Sequence, residues 1–303
     1  MTFFQKLGHD FKRNKMLYLI SFPVVAFLII FSYIPMGGLV MAFEKFSPKG
    51  GIFSSPWVGF DNFKHFFQSV YFLRVLGNTF LLSFYDLIFG FWAPIIFALL
   101  LNEIKDGLFK KTIQTISYLP YFVSMVVICG LIMDFTGGDG FISRAALIFG
   151  SKDASLLSNP ANFRSIFVVS NIWQGLGYGS IIYLAALSSV DQELFEAARM
   201  DGAGRLRQIW HITLPGISST IVIMLILRIG LLLTVNFEKV LLLYSPATYE
   251  TADVISTYVY RKGILGLDYG YSTAVGLFNS VIAFILVAGS NALAKRYSDV
   301  SLY

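Results

Sequence analysis

The sequence predicts an all-α integral membrane protein with six membrane-spanning helices. Of its 303 residues, 56% are hydrophobic and only 14% are charged, whereas charged residues make up about a quarter of a typical soluble domain. The mean hydropathy is +0.68. Most apolar residues fall into six segments, each long enough for the roughly 20 residues that a helix needs to cross a bilayer. Residues 16–303 are therefore predicted to form one transmembrane domain.

The excess of basic over acidic residues is explained by a membrane location. A net charge of +5 would indicate nucleic-acid binding in a soluble protein. Here the cations lie mostly beside apolar segments, where they contact lipid headgroups and set the orientation of the spans. We expect no nucleic-acid partner, and we interpret residues 1–15 as a basic cytoplasmic tail.

The first half of the chain contains three predicted spans. The first, 17–43, has no charged residue, and its length favours a membrane span over the rival interpretation, a cleaved signal peptide. The aromatic-rich segment 44–74 is predicted to lie outside, partly as an interfacial helix. The spans 76–101 and 112–133 follow, joined by the basic loop 102–111.

The second half contains the other three spans. A polar, glycine-bearing external loop, 134–162, leads to the span 163–187. The span 217–243 follows a long polar loop, 188–216. An external segment, 244–270, precedes the last span, 271–294.

The 188–216 loop is the only long polar interruption that also looks like a structured unit. Ser189 is predicted to cap a short helix, with Gln192 as its partner in a capping box. The helix is expected to run to about Met200, and Gly202 to break it. A second helix then leads to Pro215.

The loop contains a pattern of fixed spacing: Glu196, Ala197, Ala198, Asp201, Gly202 and Ala203, followed after eight residues by Ile212, Leu214 and Pro215. This pattern resembles the cytoplasmic loop of permease subunits in binding-protein-dependent ABC importers. In that family the loop contains the coupling helix, which sits in a groove of the ATPase subunit. The alternative is an ordinary amphipathic surface helix with no binding role. The resemblance assigns ATPase coupling to the motif positions Glu196, Ala197, Ala198, Asp201, Gly202, Ala203, Leu214 and Pro215.

The resemblance implies a type I ABC importer permease fold, with six spans, both termini cytoplasmic and a cytoplasmic coupling helix. It implies a multi-pass location in the bacterial cell (inner) membrane. The expected partners are a second, similar permease chain, two ATPase subunits and an extracellular solute-binding protein. The chain has no phosphate-binding G-x-x-x-x-G-K-[ST] motif and no histidine or cysteine spacing for a metal. We therefore expect no catalytic residue, metal or cofactor in this chain, with ATP and magnesium bound by the ATPase subunits.

Several short stretches resemble the carbohydrate-uptake branch of these importers, in particular subunits that serve oligosaccharides or polysaccharide fragments. They imply an oligosaccharide substrate. These stretches are 118–122, 173–174, 236–238 and 253–263.

Polar residues inside spans indicate a candidate substrate pathway, because a polar group in the membrane is energetically costly unless it faces protein or water. In the fourth span, Asn171, Gln174 and Tyr178 share one helical face, with Trp173 beside them. Aromatic planes and amides match the apolar faces and hydroxyl rims of sugars. The alternative is close helix packing, which the glycines at 175, 177 and 179 allow.

The fifth and sixth spans add four candidates. Arg228 lies about 17 Å along a helix that starts at Ile217, near the middle of the bilayer, and Asp86 is its predicted partner. The pair is either structural, including a contact to the other permease, or it recognises an acidic sugar. Asn236 and Glu238 lie in a polar break that either receives substrate or ends the helix. Asn279 is a further cavity candidate.

Two other functions compete with carbohydrate import. A secondary transporter should show repeated halves. The sequence shows none, and the structured 188–216 loop would have no use in such a transporter. An importer for a polyamine or phosphate should have a cavity rich in carboxylates or basic residues, whereas the candidate patch in the fourth span is neutral and aromatic.

Overall fold

The computed structural model describes residues 13–233 and 235–297, so most of the predicted tail 1–15 lies outside the described residues. Within these ranges the regular structure is helical, apart from one isolated bridge between Glu44 and Trp57. The fold divides into two units. One comprises the described parts of Met1–Phe67 and Lys262–Leu277, and the other those of Gln68–Arg261 and Phe278–Tyr303.

The first unit contains a long apolar helix, α1 (Lys15–Phe43), and α2 (Asp61–Gln68). At the end of α1, Phe43 stacks on Trp57 with ring centroids 5.6 Å apart and meets Phe60 edge-on at 5.5 Å. The Asn62 side chain donates hydrogen bonds to the carbonyls of Ala42 and Glu44. These contacts fix the aromatic segment against the end of α1.

The helices that follow along the chain are α3 (Phe72–Glu103), α4 (Leu108–Tyr118), α5 (Met125–Thr136), α6 (Phe141–Ile148), α7 (Pro160–Leu187), α8 (Gln192–Met200), α9 (Arg205–Gly216), α10 (Ser218–Gly230), α11 (Phe237–Leu243), α12 (Ile255–Tyr260) and α13 (Tyr269–Tyr297).

Four helical segments among the described residues are long and apolar enough to cross a membrane: Lys15–Phe43, Phe72–Glu103, Met125–Ile148 and Tyr269–Leu293. The pair α9 and α10, bent by 63°, would make a fifth. The predicted spans 17–43, 76–101 and 271–294 coincide with α1, α3 and α13. The predicted span 163–187 lies within α7, which is 28 residues long but carries glycines and amides that lower its hydropathy.

The third and fifth predicted spans are interrupted rather than continuous. Proline lacks a backbone N–H, and at Pro120 the helix α4 gives way to a 3-10 turn before Ser124 caps α5. Likewise α10 ends at Gly230, and Asn236 caps α11 by accepting a hydrogen bond from the N–H of Lys239 at 3.2 Å. The predicted external loop 134–162 also contains a helix, α6.

Prolines also explain three wider, π-helical turns. The turns Ile29–Tyr33, Asp86–Gly90 and Ile209–Thr213 each lie shortly before a proline, at 35, 94 and 215. The missing N–H of a proline leaves the carbonyl four residues earlier without its usual donor, so the preceding turn is free to widen. In α3 the widened turn begins at Asp86.

The second unit has two apolar cores. One joins α3, α5, α7 and α11 through buried residues such as Leu82, Ile128, Phe163 and Val240. The other joins α3, α7 and the start of α10 through residues such as Ile95, Tyr183 and Ile217. Polar side chains lie between the two cores on three helices: Asp86 on α3, Asn171 and Gln174 on α7, and Arg228 on α10.

Candidate functional site

A cavity of about 360 Å³ lies between the two cores, bordered by α3, α7 and α10. A second lobe, of about 220 Å³, adjoins it on the side of the higher-numbered residues of α3 and α7. The residues that line both lobes are Asp86, Tyr121, Asn171, Gly175 and Arg228.

A chain of polar contacts crosses this cavity. Arg228 donates a hydrogen bond from Nη2 to Oδ2 of Asp86 and forms an ion pair with it. The amide nitrogen of Asn171 donates to Oδ1 of Asp86 at 3.3 Å. Nζ of Lys239 donates to Oδ1 of Asn171 at 2.7 Å and lies 5.7 Å from the ring centre of Phe167. The predicted partnership of Arg228 with Asp86 is confirmed.

The position of Asp86 depends on the backbone of α3. A methyl group at Gly90, one turn further on, would come within 2.9 Å of Oδ1 of Asp86 and 3.8 Å of Nη2 of Arg228. Gly90 therefore leaves the carboxylate the space in which it meets the guanidinium.

Aromatic side chains line the same cavity. Tyr121 and Tyr178 stack with ring centroids 3.8 Å apart and an interplanar angle of 6°, and Phe122 meets Tyr178 edge-on at 5.9 Å. Flat rings beside amides and charges can contact both the apolar faces and the hydroxyls of a sugar.

The 188–216 loop forms a second candidate site. It folds as a helix, a turn and a second helix, as the sequence predicts. The cap is Asp191, which accepts a hydrogen bond from the N–H of Glu193 at 3.0 Å, whereas the Ser189 hydroxyl bonds to the carbonyl of Ala186. The predicted Ser189 cap is therefore wrong. Asp191 lies one residue before the helix and its carboxylate is also favoured there by the helix dipole.

The turn between α8 and α9 is built on Gly202. Its φ of +74° lies in the left-handed region that favours glycine. The N–H groups of the next residues return to the end of α8, with Ala203 bonding to the carbonyl of Ala198 at 2.8 Å. The Gln208 side chain donates to the carbonyl of Ala203 at 2.7 Å and fixes the start of α9.

The loop presents both charge and apolar surface. Glu196, Ala197, Asp201 and Pro215 are exposed, and Ala198, Ala203 and Leu214 are half-buried. Large apolar side chains are exposed beside them, at Leu194, Met200, Leu206 and Trp210.

A polar groove separates this loop from the basic segment 102–111. Arg205 approaches Glu103 at 3.8 Å, and Lys110 pairs with Asp106 at 2.8 Å. The hydrogen bond and charge of Lys110 lower the pKa of Asp106 below its usual range.

The sequence family that matches residues 90–299, more than half of the chain, is described as a binding-protein-dependent transport system inner membrane component. This chain belongs to that family and is a transport permease. The inner-membrane location and the absence of an ATPase role, both predicted from the sequence, follow from this membership.

Similar proteins cover nearly the whole permease. Protein LplB of Bacillus subtilis (strain 168) is 46% identical over 96% of this chain and 92% of its own length. The polygalacturonan/rhamnogalacturonan transport system permease protein YteP of the same organism is 43% identical over 96% and 91%.

A solved structure of the same fold belongs to a bacterial alginate ABC transporter in complex with an alginate pentasaccharide-bound periplasmic protein. One of its chains matches with a TM-score of 0.90 and 42% identity, covering 98% of the permease and 100% of that chain. A structure of a transporter for the import of the acidic polysaccharide alginate matches with a TM-score of 0.89 and 43% identity over 96% and 99%. The predicted type I importer permease fold is thus confirmed.

The structure brings only some of the predicted pathway residues together. Asn171, Gln174, Arg228 and Asn236 line the larger lobe, and Tyr178 lines the smaller one. Trp173 is 48% exposed and, with Glu238 and Asn279, is not among the lining residues. Asn279 instead donates to the carbonyl of Leu233 at 3.5 Å.

Sequence reasoning missed Lys239 and Tyr121 as parts of this site. Lys239 is fully buried, and its signal was a lysine directly followed by an apolar run. Tyr121 belongs to the stretch 118–122 that indicated carbohydrate uptake, but it lies on a different segment from Tyr178, and no sequence pattern pairs the two rings.

A third polar cluster connects the predicted external segment to α3. Asp253 is fully buried and holds Arg261 through two hydrogen bonds, at 3.1 and 2.6 Å, with Arg74 at 3.5 Å from the same carboxylate. Burial alone would lower the pKa of Arg261, but the hydrogen bonds and charge of Asp253 outweigh it and raise the pKa above its ordinary value. Arg261 also lies over the ring of Tyr249 at 4.7 Å.

Proposed function

We propose that this permease is one transmembrane subunit of an ATP-driven importer that carries an oligosaccharide, delivered by an extracellular solute-binding protein. The observation that carries this proposal is the cavity between the two apolar cores, where amides, charges and a stacked tyrosine pair line one space. The substrates named for YteP and for the alginate transporters are polysaccharides or their fragments, which supports the same substrate class here.

The proposed topology has six spans and both termini in the cytoplasm. α1, α3, α7 and α13 each supply one span. The interrupted segments that contain α4 to α5 and α10 to α11 supply the other two. With this parity, the 188–216 loop, the basic loop 102–111 and both chain ends lie on one side of the membrane. The polar groove lined jointly by these two loops supports placing them together.

The 188–216 loop is the proposed coupling element. The positions to which we assign this role are Glu196, Ala197, Ala198, Asp201, Gly202, Ala203, Leu214 and Pro215. In this role the exposed apolar side chains of Leu194 and Met200 would enter a groove of an ATPase subunit, and Glu196 would fix the register. The proposed assembly holds a second, similar permease chain and two ATPase subunits, which bind ATP and magnesium. This chain would need no cofactor of its own.

The proposed mechanism is alternating access. ATP brings the two ATPase subunits together, and their grooves pull on the coupling loops. The spans then open the cavity outward to receive the delivered sugar, and hydrolysis restores the inward-facing state. The pathway residues in this scheme are Asn171, Trp173, Gln174, Tyr178, Arg228, Asn236, Glu238 and Asn279.

The test is the ATPase activity of the reconstituted transporter with its binding protein, measured across a panel of oligosaccharides, amino acids, polyamines and phosphate. Stimulation by one class of oligosaccharide, with uptake of the same compound, is expected. Stimulation only by amino acids, polyamines or phosphate would overturn the carbohydrate assignment. Purification without any associated ATPase would overturn the coupling role.

A further inference from the structure

The charges in the cavity do not balance. The polar chain contains two cations, Arg228 and Lys239, but one carboxylate, Asp86. Among the described residues, Asp86 is the acidic group that forms an ion pair with Arg228, and none forms one with Lys239. The chain of contacts therefore carries one excess positive charge in a part of the protein that lies between two apolar cores.

Arg228 has donors to spare and faces the open space. Its side chain is 43% exposed, against 17% for Asp86, and it lines both lobes of the cavity. A guanidinium has five N–H donors in a fork that matches a carboxylate. The described residues satisfy one of them, through Asp86.

Lys239 adds a second positive charge to the polar chain, next to Asn171. Its ammonium group is fully buried, held by the side-chain oxygen of Asn171 and the ring of Phe167. This contact turns the amide nitrogen of Asn171 toward Asp86. A buried cation with only neutral partners is costly, and an anion in the adjacent cavity would reduce that cost.

We propose that Arg228 binds a carboxylate of the sugar. In the absence of substrate, Asp86 pairs with the Arg228 guanidinium, and the carboxylate of an acidic oligosaccharide replaces it. This inference rests on the proposed function and narrows its substrate to sugars that carry carboxylates, such as hexuronate oligomers. Tyr121 and Tyr178 would stack on the rings while Arg228 binds the charge.

The exchange also opens the path between the lobes. Asp86 and Arg228 border both lobes, so their ion pair joins α3 to α10 across the passage from one to the other. A sugar carboxylate competes with Asp86 for the guanidinium. When it succeeds, the bridge between the two helices is released at the moment when substrate is in place.

The experiment compares a hexuronate oligosaccharide with its methyl ester, which has the same skeleton without the charge, and with a neutral oligosaccharide. Uptake is measured in the reconstituted transporter with one unchanged binding protein, so that differences between permease variants report on the cavity. Arg228→Gln is expected to lower uptake of the uronate by about tenfold or more, because a charge-assisted hydrogen bond is lost. The loss for the uronate should exceed the change for its methyl ester and for a neutral oligosaccharide by at least about fivefold, and Arg228→Lys should restore part of the uronate uptake.

A second variant guards against misfolding. Arg228→Gln leaves Asp86 without its cation, whereas the double variant Asp86→Asn with Arg228→Gln removes both charges, so that no unpaired carboxylate remains. It should assemble with the ATPase subunits and also lose uronate uptake selectively. Asp86→Asn alone should lower uronate uptake by less than Arg228→Gln does and raise the ATPase activity in the absence of substrate, because the bridge between α3 and α10 is weakened.

The outcomes separate this inference from the proposed function. Wild-type transporter that takes up neutral oligosaccharides but neither the uronate nor any other acidic sugar would overturn the inference and leave the carbohydrate importer intact. Equal losses for charged and neutral sugars in the assembled double variant would also overturn it, since the pair would then be structural only. No response to any sugar would overturn the proposed function itself.

Discussion

At the scale of single residues, the turn in the 188–216 loop depends on one glycine. Gly202 has a φ of +74°, and a methyl group there would meet no atom within 4 Å. The constraint at this position is therefore conformational and not steric. A methyl group at Gly204, two residues further on, would also meet no atom within 4 Å. Gly204 has a φ of −69°, which any residue adopts.

We predict that Gly202→Ala impairs coupling while Gly204→Ala does not. A left-handed conformation costs a residue with a side chain about 1–2 kcal/mol, so α8 would be displaced relative to α9. The measurement is the number of sugar molecules transported per ATP hydrolysed by the reconstituted transporter, expected to fall for Gly202→Ala. Equal coupling ratios in both variants would show that the turn tolerates distortion.

Sequence reasoning was most successful where a residue has few conformational choices. The break at Gly202 and the end of α8 at Met200 were predicted correctly. A glycine that directly follows a short helical segment is a local signal of a helix end. The cap was not predicted correctly: Ser189 and Asp191 are both good capping residues, and the choice between them depends on where α7 ends, at Leu187.

At the scale of helices, two glycines of α7 have different functions on opposite faces, because residues two positions apart point about 200° apart around a helix. A methyl group at Gly177 would lie 2.2 Å from the carbonyl oxygen of Ser117, so α7 packs directly on the backbone of α4 there. At Gly175 the same group would meet no atom within 4 Å, and Gly175 lines the cavity. The sequence left packing and substrate contact as alternatives, and the structure assigns packing to Gly177 while placing Gly175 at the cavity.

We expect Gly177→Ala to destabilise the assembled transporter by about 1–3 kcal/mol, as overpacking against backbone does. Gly175→Ala should preserve or slightly raise stability, because alanine favours a helix over glycine by about 1 kcal/mol. Thermal unfolding midpoints of the two purified variants provide the comparison. A midpoint for Gly177→Ala at or above that of Gly175→Ala would contradict the packing of α7 on α4.

Interruptions within helices were harder to predict than their presence. α1, α3, α7 and α13 follow from hydropathy and length, but the break near Pro120 does not, and a helix end near Asn236 was only one of two alternatives. A proline widens a turn, kinks a helix or ends it. At Pro94 the helix continues after a wide turn, whereas at Pro120 it stops, and tertiary packing decides between these results.

At the scale of the second unit, long-range polar contacts connect segments that are far apart in the chain. Asp253 joins Arg74 of α3 to Arg261, and Asn78 of α3 accepts a hydrogen bond from Arg164 of α7 at 2.9 Å. Asn78 also donates to the carbonyls of Glu250 and Asp253. No spacing along the sequence predicts such contacts, because each depends on the completed packing of three helices.

We predict that Asp253→Ala destabilises the assembled transporter by about 3 kcal/mol, since it leaves two arginines without their buried carboxylate. Asp139→Ala is the matched control. Its pair with Arg144 is exposed, with side-chain exposures of 100% and 67%, and such pairs contribute about 0–1 kcal/mol. Similar unfolding midpoints for the two variants would show that Arg74 and Arg261 find other partners.

The widened turn at Asp86–Gly90 determines which side of α3 its later residues present to the protein. In a regular helix each residue advances the direction of its side chain by about 100°, so Ala98 would point about 160° away from Leu82. A turn that absorbs one extra residue reduces this angle to about 60°. Leu82 belongs to one apolar core and Ala98 to the other. The wide turn before Pro94 thus rotates the later part of α3, so that residues on one side of this helix pack into both cores.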